Sequence, residues 1–328
     1  MAFFSKFVIH GDDKGTSIFL CVVYVIIYEF SNTILYLLDS FSRVDTAVIT
    51  TGGLGTRLLT YTKSNPKTML PLYEKSHDQS QDPLLRPLIE IIFENLYDHG
   101  FRKFCIIVGT KTQESIFKQM LPDPGYIRLL KKRNIAVDRR FIKTLTKQYS
   151  QMNKCEIKWI SQSSPMGFGH ALLSASKFVG KDDFILHAGD AYFPTTDFIP
   201  KMIEKFERYD PSAMLLLQRK KSLKGYGIAQ IKKSENQNII YDVQEKPKKP
   251  LSNLAILPLY LFKSDIFDSL RKTSKGYNCE LQVTDAIKTS INSNKKVIAE
   301  IYEKKHWFDI GSPENYFKAL THSYKISK

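Results

Sequence analysis

The amino-acid sequence has 328 residues, and its 48 lysines and arginines against 33 aspartates and glutamates give a formal net charge of +15. Hydrophobic residues make up 43% and charged residues 25%, which is ordinary for a soluble globular protein, and the length suffices for one large α/β domain or two modest ones. The positive charge indicates a protein that handles anions such as nucleotides, sugar phosphates, nucleic acid or a membrane surface, and composition alone does not choose among them.

Four cysteines are scattered through the chain at Cys21, Cys105, Cys155 and Cys279, with no C-x-x-C pair and no histidine pair nearby. This spacing gives no support to a zinc site or to a disulfide framework. A reducing cytoplasm is therefore the expected compartment.

Residues 1–44 differ in character from the rest and form an apolar extension. Within it, the apolar stretch 18–38 just reaches the ~20 residues of a spanning helix, but Glu29 and two polar neighbours interrupt it. A signal peptide is not supported, because two acidic residues precede the apolar run and no small-residue cleavage site follows it. Three interpretations stay open: a helix packed on the domain or on a partner, a weak membrane anchor, or a mis-chosen start codon.

The most informative stretch is residues 47–72, which read AVITTGGLGTRLLTYTKSNPKTMLPL. The β-branched run 47–51 predicts a buried strand, and a glycine-rich turn follows it. Three glycines within four positions let the backbone approach a ligand where side chains would clash. Backbone N–H groups of such a turn, with basic side chains close behind, suit a polyphosphate. The residues concerned are Gly52, Gly53, Gly55, Thr56, Arg57, Lys63 and Lys67.

This turn is neither a Walker A loop, because no Gly-Lys-Ser/Thr closes it, nor G-x-G-x-x-G, because Leu58 occupies the third glycine position. The pattern GLGTR at 53–57, followed by Pro-Lys and Leu-Pro, resembles the signature of the sugar-1-phosphate nucleotidylyltransferases. Among them it is most similar to the UTP–glucose-1-phosphate uridylyltransferases of the bacterial and archaeal type. The resemblance covers about residues 45–322. It implies an α/β fold of the Rossmann-like (GT-A-like) kind, with a mixed, mainly parallel sheet, helices on both faces and a smaller antiparallel sugar-binding subdomain.

Three departures from the family pattern occur near the signature. A polar insert occupies residues 76–86, Thr60 stands where the family favours proline, and Gly52 stands where alanine is usual. None of them removes a residue to which the resemblance assigns a role in the chemistry.

The next elements continue an alternation of helix and strand. An amphipathic helix is predicted over 87–99, and a strand over 102–109. Residues 111–153 are helical and basic, but few aromatic residues are interleaved with the charge, so a solvated face is expected rather than a nucleic-acid surface. The resembled uridylyltransferases carry a helical insert here that thymidylyl relatives lack. In that family the insert helps to build the oligomer, which implies a homo-oligomer, either a dimer or a tetramer.

A second glycine-containing loop follows the predicted strand 155–161. The sequence runs from Gln162 into Gly167, Gly169 and then a helix, and backbone groups at such a strand-to-helix junction can hold a base or a phosphate. By itself this pattern is common. In the resembled family the matching glutamine and first glycine recognise the uracil, which implies that role for Gln162 and Gly167.

Two aspartates are candidate metal ligands. Asp190 follows the predicted strand 184–188, and the carboxyl ends of parallel strands are where open α/β sheets place their ligands, although such an aspartate is often only a helix cap. The resemblance makes Asp190 a Mg²⁺ ligand and Asp309, in the stretch WFDIGSP, the second one. Two aspartates from distant parts of the chain suit a hard cation with oxygen ligands.

Residues 220–305 suggest antiparallel strands with turns, and we interpret them as a sugar-binding subdomain attached to a nucleotide-binding part at 45–219. A C-terminal helix completes the domain at 306–328. The resemblance implies that four residues contact the sugar or its phosphate. They are Gly227, Glu245, Lys246 and Asn253. For the adjacent glutamate and lysine the alternative is an exposed ion pair of little energetic value.

The implied activity is uridylyl transfer from UTP to glucose 1-phosphate, which needs positioning and positive charge more than covalent help. Arg57 and the Gly52–Thr56 backbone would hold the departing phosphates, Lys67 the α-phosphate region and Lys246 the sugar phosphate. The alternatives are a thymidylyl- or other nucleotidylyltransferase with a different sugar, a catalytically silent sugar-nucleotide sensor, or a nucleic-acid-binding protein. We expect no nucleic-acid partner and no membrane association, and residues 18–38 are the one stretch through which a membrane contact stays open.

Overall fold

The computed structural model describes residues 44–53, 55–75, 82–109, 111–133, 136–162, 164, 166–234, 236–304 and 306–328. The apolar stretch 18–38, and with it the interpretation of the extension, lies outside these residues, as does most of the insert 76–86. In the part that the structure describes, no helix is both long and apolar enough to cross a membrane.

The strands, in chain order, are β1 (Thr46–Thr50), β2 (Pro71–Glu74), β3 (Leu84–Pro87), β4 (Lys103–Val108), β5 (Glu156–Ser161), β6 (Phe184–Ala188), β7 (Ala191–Tyr192), β8 (Ala213–Arg219), β9 (Ile228–Ser234), β10 (Gln237–Gln244), β11 (Leu254–Phe262), β12 (Val297–Ile301) and β13 (Phe308–Asp309). The helices are α1 (Tyr61–Ser64), α2 (Leu88–Asp98), α3 (Lys111–Lys118), α4 (Pro124–Arg133), α5 (Ala136–Met152), α6 (Phe168–Ser174), α7 (Ser176–Val179), α8 (Phe198–Tyr209), α9 (Ile266–Lys272), α10 (Val283–Asn292) and α11 (Pro313–Ser327). Short 3₁₀ turns cover Thr56–Leu58, Lys67–Met69 and Tyr277–Cys279.

A nine-stranded mixed sheet organises the domain, in the order β5-β4-β1-β6-β11-β8-β12-β10-β9. Strands β5, β4, β1 and β6 are parallel, β12 is parallel to β8, and the other pairs are antiparallel. The predicted mixed α/β fold is therefore confirmed. The antiparallel strands predicted after residue 220 are present, and they extend the same sheet rather than forming a second one.

Both faces of the sheet are buried, which explains the continuous apolar runs of its strands. Along β1, Ala47 and Ile49 belong to one core cluster, whereas Val48 belongs to the other. The first cluster packs against α2 and α8, and the second against α6, α9 and α10. Side chains alternate across a strand, so this pattern is that of a sheet covered by helices on both sides.

Register within the sheet brings three strand ends together. Thr50, the last residue of β1, lies opposite Ile107 of β4 and Ala188 of β6. The backbone N–H of Gly189 donates to the carbonyl of Thr50 at 2.8 Å, so the chain segments leaving β1 and β6 run side by side. The carboxyl ends of parallel strands thus deliver the glycine-rich turn and Asp190 to one edge of the sheet, as predicted for a ligand site.

A buried ion cluster fastens the β2–β3 hairpin to the helices beside it. Arg86 lies at its centre, and its side chain is only 6% exposed. Its Nη1 atom is 2.6 Å from a carboxylate oxygen of Glu74, and its Nε atom is 3.5 Å from one of Glu90. It also binds Glu94, whose other oxygen binds Lys147 of α5. Burial raises the pKa of Glu74 and Glu90 even against the charge of the arginine. Arg86 therefore holds together three carboxylates that would otherwise repel one another.

Candidate functional site

The glycine-rich turn after β1 has a backbone that residues with side chains would adopt only under strain. Gly53 has φ = +134° and Gly55 has φ = +58°. A Cβ on Gly55 would lie 2.7 Å from the Thr62 methyl carbon, and the Thr62 hydroxyl donates to the Gly55 carbonyl at 2.8 Å. Glycine is therefore required here both by conformation and by close packing.

A cavity of about 520 Å³ opens between this turn and the loop before α6. All six residues predicted to bind a nucleotide line it: Gly52, Gly53, Gly55, Thr56, Gln162 and Gly167. The Gln162 side-chain amide lies against Gly52, since a Cβ there would be 3.3 Å from Oε1. The Nε2 atom of Gln162 is 2.9 Å from Nδ1 of His170, so the histidine contacts the amide of this residue.

The loop before α6 is tied to the segment before α10. Leu281 donates its N–H to the carbonyl of Met166 at 3.0 Å and accepts from the N–H of Gly169 at 2.8 Å. Gly167 between them has φ = +106°, and a Cβ on it would lie 2.5 Å from the Leu281 carbonyl oxygen. Only glycine lets this loop approach that segment so closely.

A smaller cavity of about 220 Å³ adjoins the first and shares Phe168, Asp190 and Pro258 with it. Three of the four residues predicted to contact the sugar or its phosphate line it: Gly227, Glu245 and Lys246. The fourth, Asn253, is not among the described residues that line this cavity. It lies just before β11, where its Oδ1 accepts a hydrogen bond of 3.2 Å from Arg219 on the exposed surface.

Asp190 and Asp309 come together where the two cavities meet. The two-residue strands β7 and β13 pair antiparallel, and the N–H of Ile310 donates to the carbonyl of Asp190 at 3.0 Å. The Oδ1 of Asp309 accepts from the N–H of Gly311 at 2.8 Å. This pairing joins parts of the chain that are more than a hundred residues apart in sequence.

Two cations face this pair of carboxylates. Lys67 forms an ion pair with Asp190, and Nη2 of Arg57, whose side chain is 65% exposed, lies 3.9 Å from Oδ2 of Asp309. Burial opposes ionisation of Asp190, but the charge and hydrogen bond of Lys67 outweigh it and lower the pKa of the carboxyl. For Asp309, burial and then the neighbouring charge of Asp190 raise the pKa. The site thus concentrates charge of both signs at one point.

Comparison with known proteins decides the family. The nucleotidyl transferase family model matches residues 46–325. The chain belongs to this family. It is 31% identical over 274 residues to the UTP–glucose-1-phosphate uridylyltransferase of Bacillus subtilis, covering 82% of this chain and 87% of that one. It is 28% identical over 272 residues to the low-salt glycan biosynthesis nucleotidyltransferase Agl11 of Haloferax volcanii, and the match spans 83% of this chain but only 64% of that protein.

Solved structures agree. An apo UDP-glucose pyrophosphorylase matches with a TM-score of 0.74 at 25% identity, covering 87% of this chain and all of that one. A UDP-glucose pyrophosphorylase complexed with UDP-glucose matches with a TM-score of 0.70 at 25% identity, over 86% of this chain and 99% of that one. This chain is therefore an enzyme, a nucleotidyltransferase, as the resemblance predicted.

The nucleotidyltransferase site also contains residues that the sequence did not single out. Phe168 and Pro258 form walls common to both cavities, Glu280 lines the larger one, and Trp307 lines the smaller one. Pro258 had a recognisable signal, because a proline inside an apolar strand marks a bulge. The register between β11 and β8 does shift between Ile256 and Tyr260. The other three carry no signal of their own, since aromatic and acidic residues are common in cores and on surfaces.

The carboxylate pair suits a hard cation that takes further ligands from a substrate. Among the residues that the structure describes, no cluster of three or more His, Cys, Asp or Glu side chains is placed to hold a metal ion. Asp190 and Asp309 alone offer two carboxylates, close enough for the charge of one to raise the pKa of the other. Mg²⁺ is commonly bound through one or two carboxylates together with phosphate oxygens, so the donor set fits it.

Proposed function

We propose that this nucleotidyltransferase transfers uridylyl from UTP to glucose 1-phosphate, giving UDP-glucose and pyrophosphate, with Mg²⁺ as cofactor. The observation that carries the proposal is that the two cavities meet at Asp190, with Lys67 beside it and Asp309 opposite. A site of this shape lets two anionic substrates approach at one point. The names of the Bacillus subtilis relative and of the UDP-glucose pyrophosphorylase structures support this choice of nucleotide and sugar.

In the proposed reaction, an oxygen of the glucose 1-phosphate phosphoryl group attacks the α-phosphorus of UTP. One P–O bond forms, and the bond from that phosphorus to the departing pyrophosphate breaks, so no covalent enzyme intermediate is needed. Arg57 and the glycine-rich turn hold the β- and γ-phosphates, and Lys67 faces the α-phosphate. Asp190 and Asp309 would hold the Mg²⁺ ion, which supplies positive charge to the phosphoryl oxygens when bound.

Gln162 and Gly167, which line the larger cavity, provide the proposed uracil site. Because His170 engages the Gln162 amide nitrogen at 2.9 Å, the orientation of that amide is fixed before a base enters. A preorganised amide loses little conformational freedom on binding. This favours the binding of a base whose hydrogen-bonding edge is complementary to the amide. In the smaller cavity, Glu245 and Lys246 face the glucose 1-phosphate.

A substrate panel tests the proposal. Pyrophosphate release is measured with UTP, dTTP, ATP and GTP, each against glucose, galactose, mannose and N-acetylglucosamine 1-phosphates. We expect kcat/KM to be highest for UTP with glucose 1-phosphate. A preference for dTTP or for another sugar would replace the substrate assignment, and pyrophosphate release from no pair would favour a silent sensor. Duplex DNA and RNA bound with a steep salt dependence would instead indicate a nucleic-acid-binding protein.

The two phosphate-binding lysines should differ in their kinetic effect. Lys246→Ala should chiefly raise the KM for glucose 1-phosphate, about tenfold, because its charge meets that phosphate in the ground state. Lys67→Ala should mainly lower kcat, about tenfold or more, because its charge faces the phosphorus where negative charge accumulates. Steady-state kinetics with each substrate varied in turn measures both. The same defect in both variants would show that the boundary between the nucleotide and sugar sites is misplaced.

Gly167→Ala should raise the KM for UTP about tenfold, because the new Cβ would collide with the Leu281 carbonyl and displace the loop that lines the larger cavity. Gly100→Ala is the matched control. Gly100 also has a positive φ, +96°, but a Cβ there meets nothing within 4 Å. It should cost some stability without changing the KM. Equal KM values in the two variants would contradict the close approach of the loop to Leu281.

A further inference from the structure

Lys246 has an unusual local conformation. It follows β10 and lies in the left-handed region with φ = +42°, which residues other than glycine adopt infrequently. Its ammonium nitrogen is 3.2 Å from a carboxylate oxygen of Glu245. A lysine side chain has many rotamers, and the Lys246 side chain is 35% exposed, so a single ion pair leaves the ammonium some freedom. A carboxylate partner also neutralises part of the charge that a phosphate would meet.

A second group contacts the same ammonium. The Lys246 nitrogen lies 5.0 Å from the centre of the Tyr277 ring, within the range of a cation–π contact. An aromatic face attracts a cation through its quadrupole and leaves the positive charge intact. Tyr277 is 46% exposed and packs into no core cluster among the described residues, so its ring is not explained by burial.

The turn that carries Tyr277 is itself held in place. The N–H of Gly276 donates to the carbonyl of Glu280 at 2.9 Å, and the N–H of Cys279 donates to the carbonyl of Gly276 at 3.0 Å. Leu281 follows Glu280 directly. Its N–H and its carbonyl both form hydrogen bonds with the loop that lines the larger cavity. The Tyr277 ring therefore belongs to a segment that hydrogen bonds connect to the loop of the larger cavity.

We propose that Tyr277 is a positioning residue that holds the Lys246 ammonium toward the smaller cavity, ready to meet the phosphate of the sugar substrate. This inference rests on the proposed function, in which Lys246 binds that phosphate. The ring restrains the long side chain before binding, so less rotamer freedom is lost when the phosphate arrives. Neither the sequence resemblance nor the family match assigns a role to this tyrosine.

The kinetic test compares two variants. Tyr277→Leu keeps an apolar side chain of moderate size but removes the ring, and it should raise the KM for glucose 1-phosphate about two- to fivefold with the KM for UTP unchanged. Tyr277→Phe keeps the ring face and should behave as the unsubstituted enzyme. In a Lys246→Ala background, Tyr277→Leu should cause no further rise. Tyr241→Leu is the control, because Tyr241 is also exposed but its hydroxyl bonds to Gln230 on the neighbouring strand.

A second measurement does not depend on the substrates. In protein labelled with ¹³C-lysine, the ε-protons of Lys246, identified by their loss in Lys246→Ala, should be shifted upfield by the ring current. Tyr277→Leu should abolish this shift, and Tyr277→Phe should keep it. An unshifted Lys246 in the full-length enzyme, or an unchanged KM for glucose 1-phosphate in Tyr277→Leu, would overturn the inference. Absence of turnover with every substrate pair would refute the proposed function instead, and the ring-current shift would then decide whether Tyr277 holds Lys246.

Discussion

Replacing Asp190 with asparagine should lower kcat by about 100- to 1000-fold or more while the fold stays intact. Asparagine has nearly the same size as aspartate, but it carries no charge for a cation and offers no ion pair to Lys67, its partner in the structure. The loss should appear in turnover, since the proposed role of this carboxylate is to place positive charge on the reacting phosphate. Pyrophosphate release at saturating UTP, glucose 1-phosphate and Mg²⁺ measures it.

Asp182→Asn is the matched control for that result. Asp182 lies just before β6, whereas Asp190 lies just after this strand. Asp182 pairs with Lys103 at the opposite edge of the sheet. This variant should keep the full kcat. Both variants should unfold within a few degrees of the unsubstituted chain, which thermal unfolding checks. Undiminished turnover in Asp190→Asn would show that this carboxylate takes no part in the reaction.

Arg86→Met should be strongly destabilising although it lies outside the site. The substitution leaves Glu74, Glu90 and Glu94 around an apolar side chain, and the cation of Lys147, which is partly exposed, stays beside Glu94. Breaking a buried ion cluster by removing one partner typically costs about 3–5 kcal/mol, which for a domain of this size lowers the melting temperature by roughly 10 °C. Differential scanning calorimetry, or urea unfolding, measures the loss of unfolding free energy.

The control for this prediction is Lys103→Met, also a cation on a strand but 40% exposed, with Asp45 at 3.5 Å and Asp182 at 3.0 Å. An exposed pair of this kind contributes about 1 kcal/mol or less, so its loss should be small. Equal losses in the two variants would show that burial of the Arg86 cluster does not matter.

The Arg86→Met deficit should also depend on pH. Burial already raises the pKa of Glu74 and Glu90, and removing Arg86 removes the strongest influence that lowers it. In the variant, the folded state would then bind more protons than the unfolded state at mildly acidic pH. Stability relative to the unsubstituted chain should therefore improve as the pH falls from about 8 to about 5.5. A deficit that grows over this range would contradict the predicted carboxylate repulsion.

The sequence was sufficient for the features that follow from local pattern. The β-branched run, the glycines after it and the aspartate after β6 predicted where the strands end, and parallel strands deliver those ends to one edge. Gln162 and Gly167 follow β5 in a similar way, but their assignment needed the family resemblance, because a glycine-containing loop before a helix is common. Each of these residues lines the larger cavity or the junction of the two cavities because the chain has little freedom over the few residues after a strand.

Other features depend on contacts between distant segments. The pairing of β7 with β13 brings Asp309 to Asp190. Each of these strands has only two residues, which is too short for an alternating side-chain pattern to appear in the sequence. The antiparallel strands after residue 220 join the main sheet because β11 pairs with β6, which alternation of side chains cannot reveal. Asn253 matches a family position in sequence, yet its amide oxygen accepts from Arg219 outside the cavity. Tyr277 reaches Lys246 through a turn in which Asn278 and Cys279 have positive φ.

The most direct test of the central claim follows the oxygen that is proposed to attack. Glucose 1-phosphate labelled with ¹⁸O in its three non-bridging phosphate oxygens is incubated with UTP and Mg²⁺, and the products are analysed by mass spectrometry. If the sugar phosphate attacks the α-phosphorus where the two cavities meet, all of the label stays in UDP-glucose, with one labelled oxygen in the bridge, and none appears in pyrophosphate. Label in pyrophosphate, or no UDP-glucose at all, would contradict the proposed transfer.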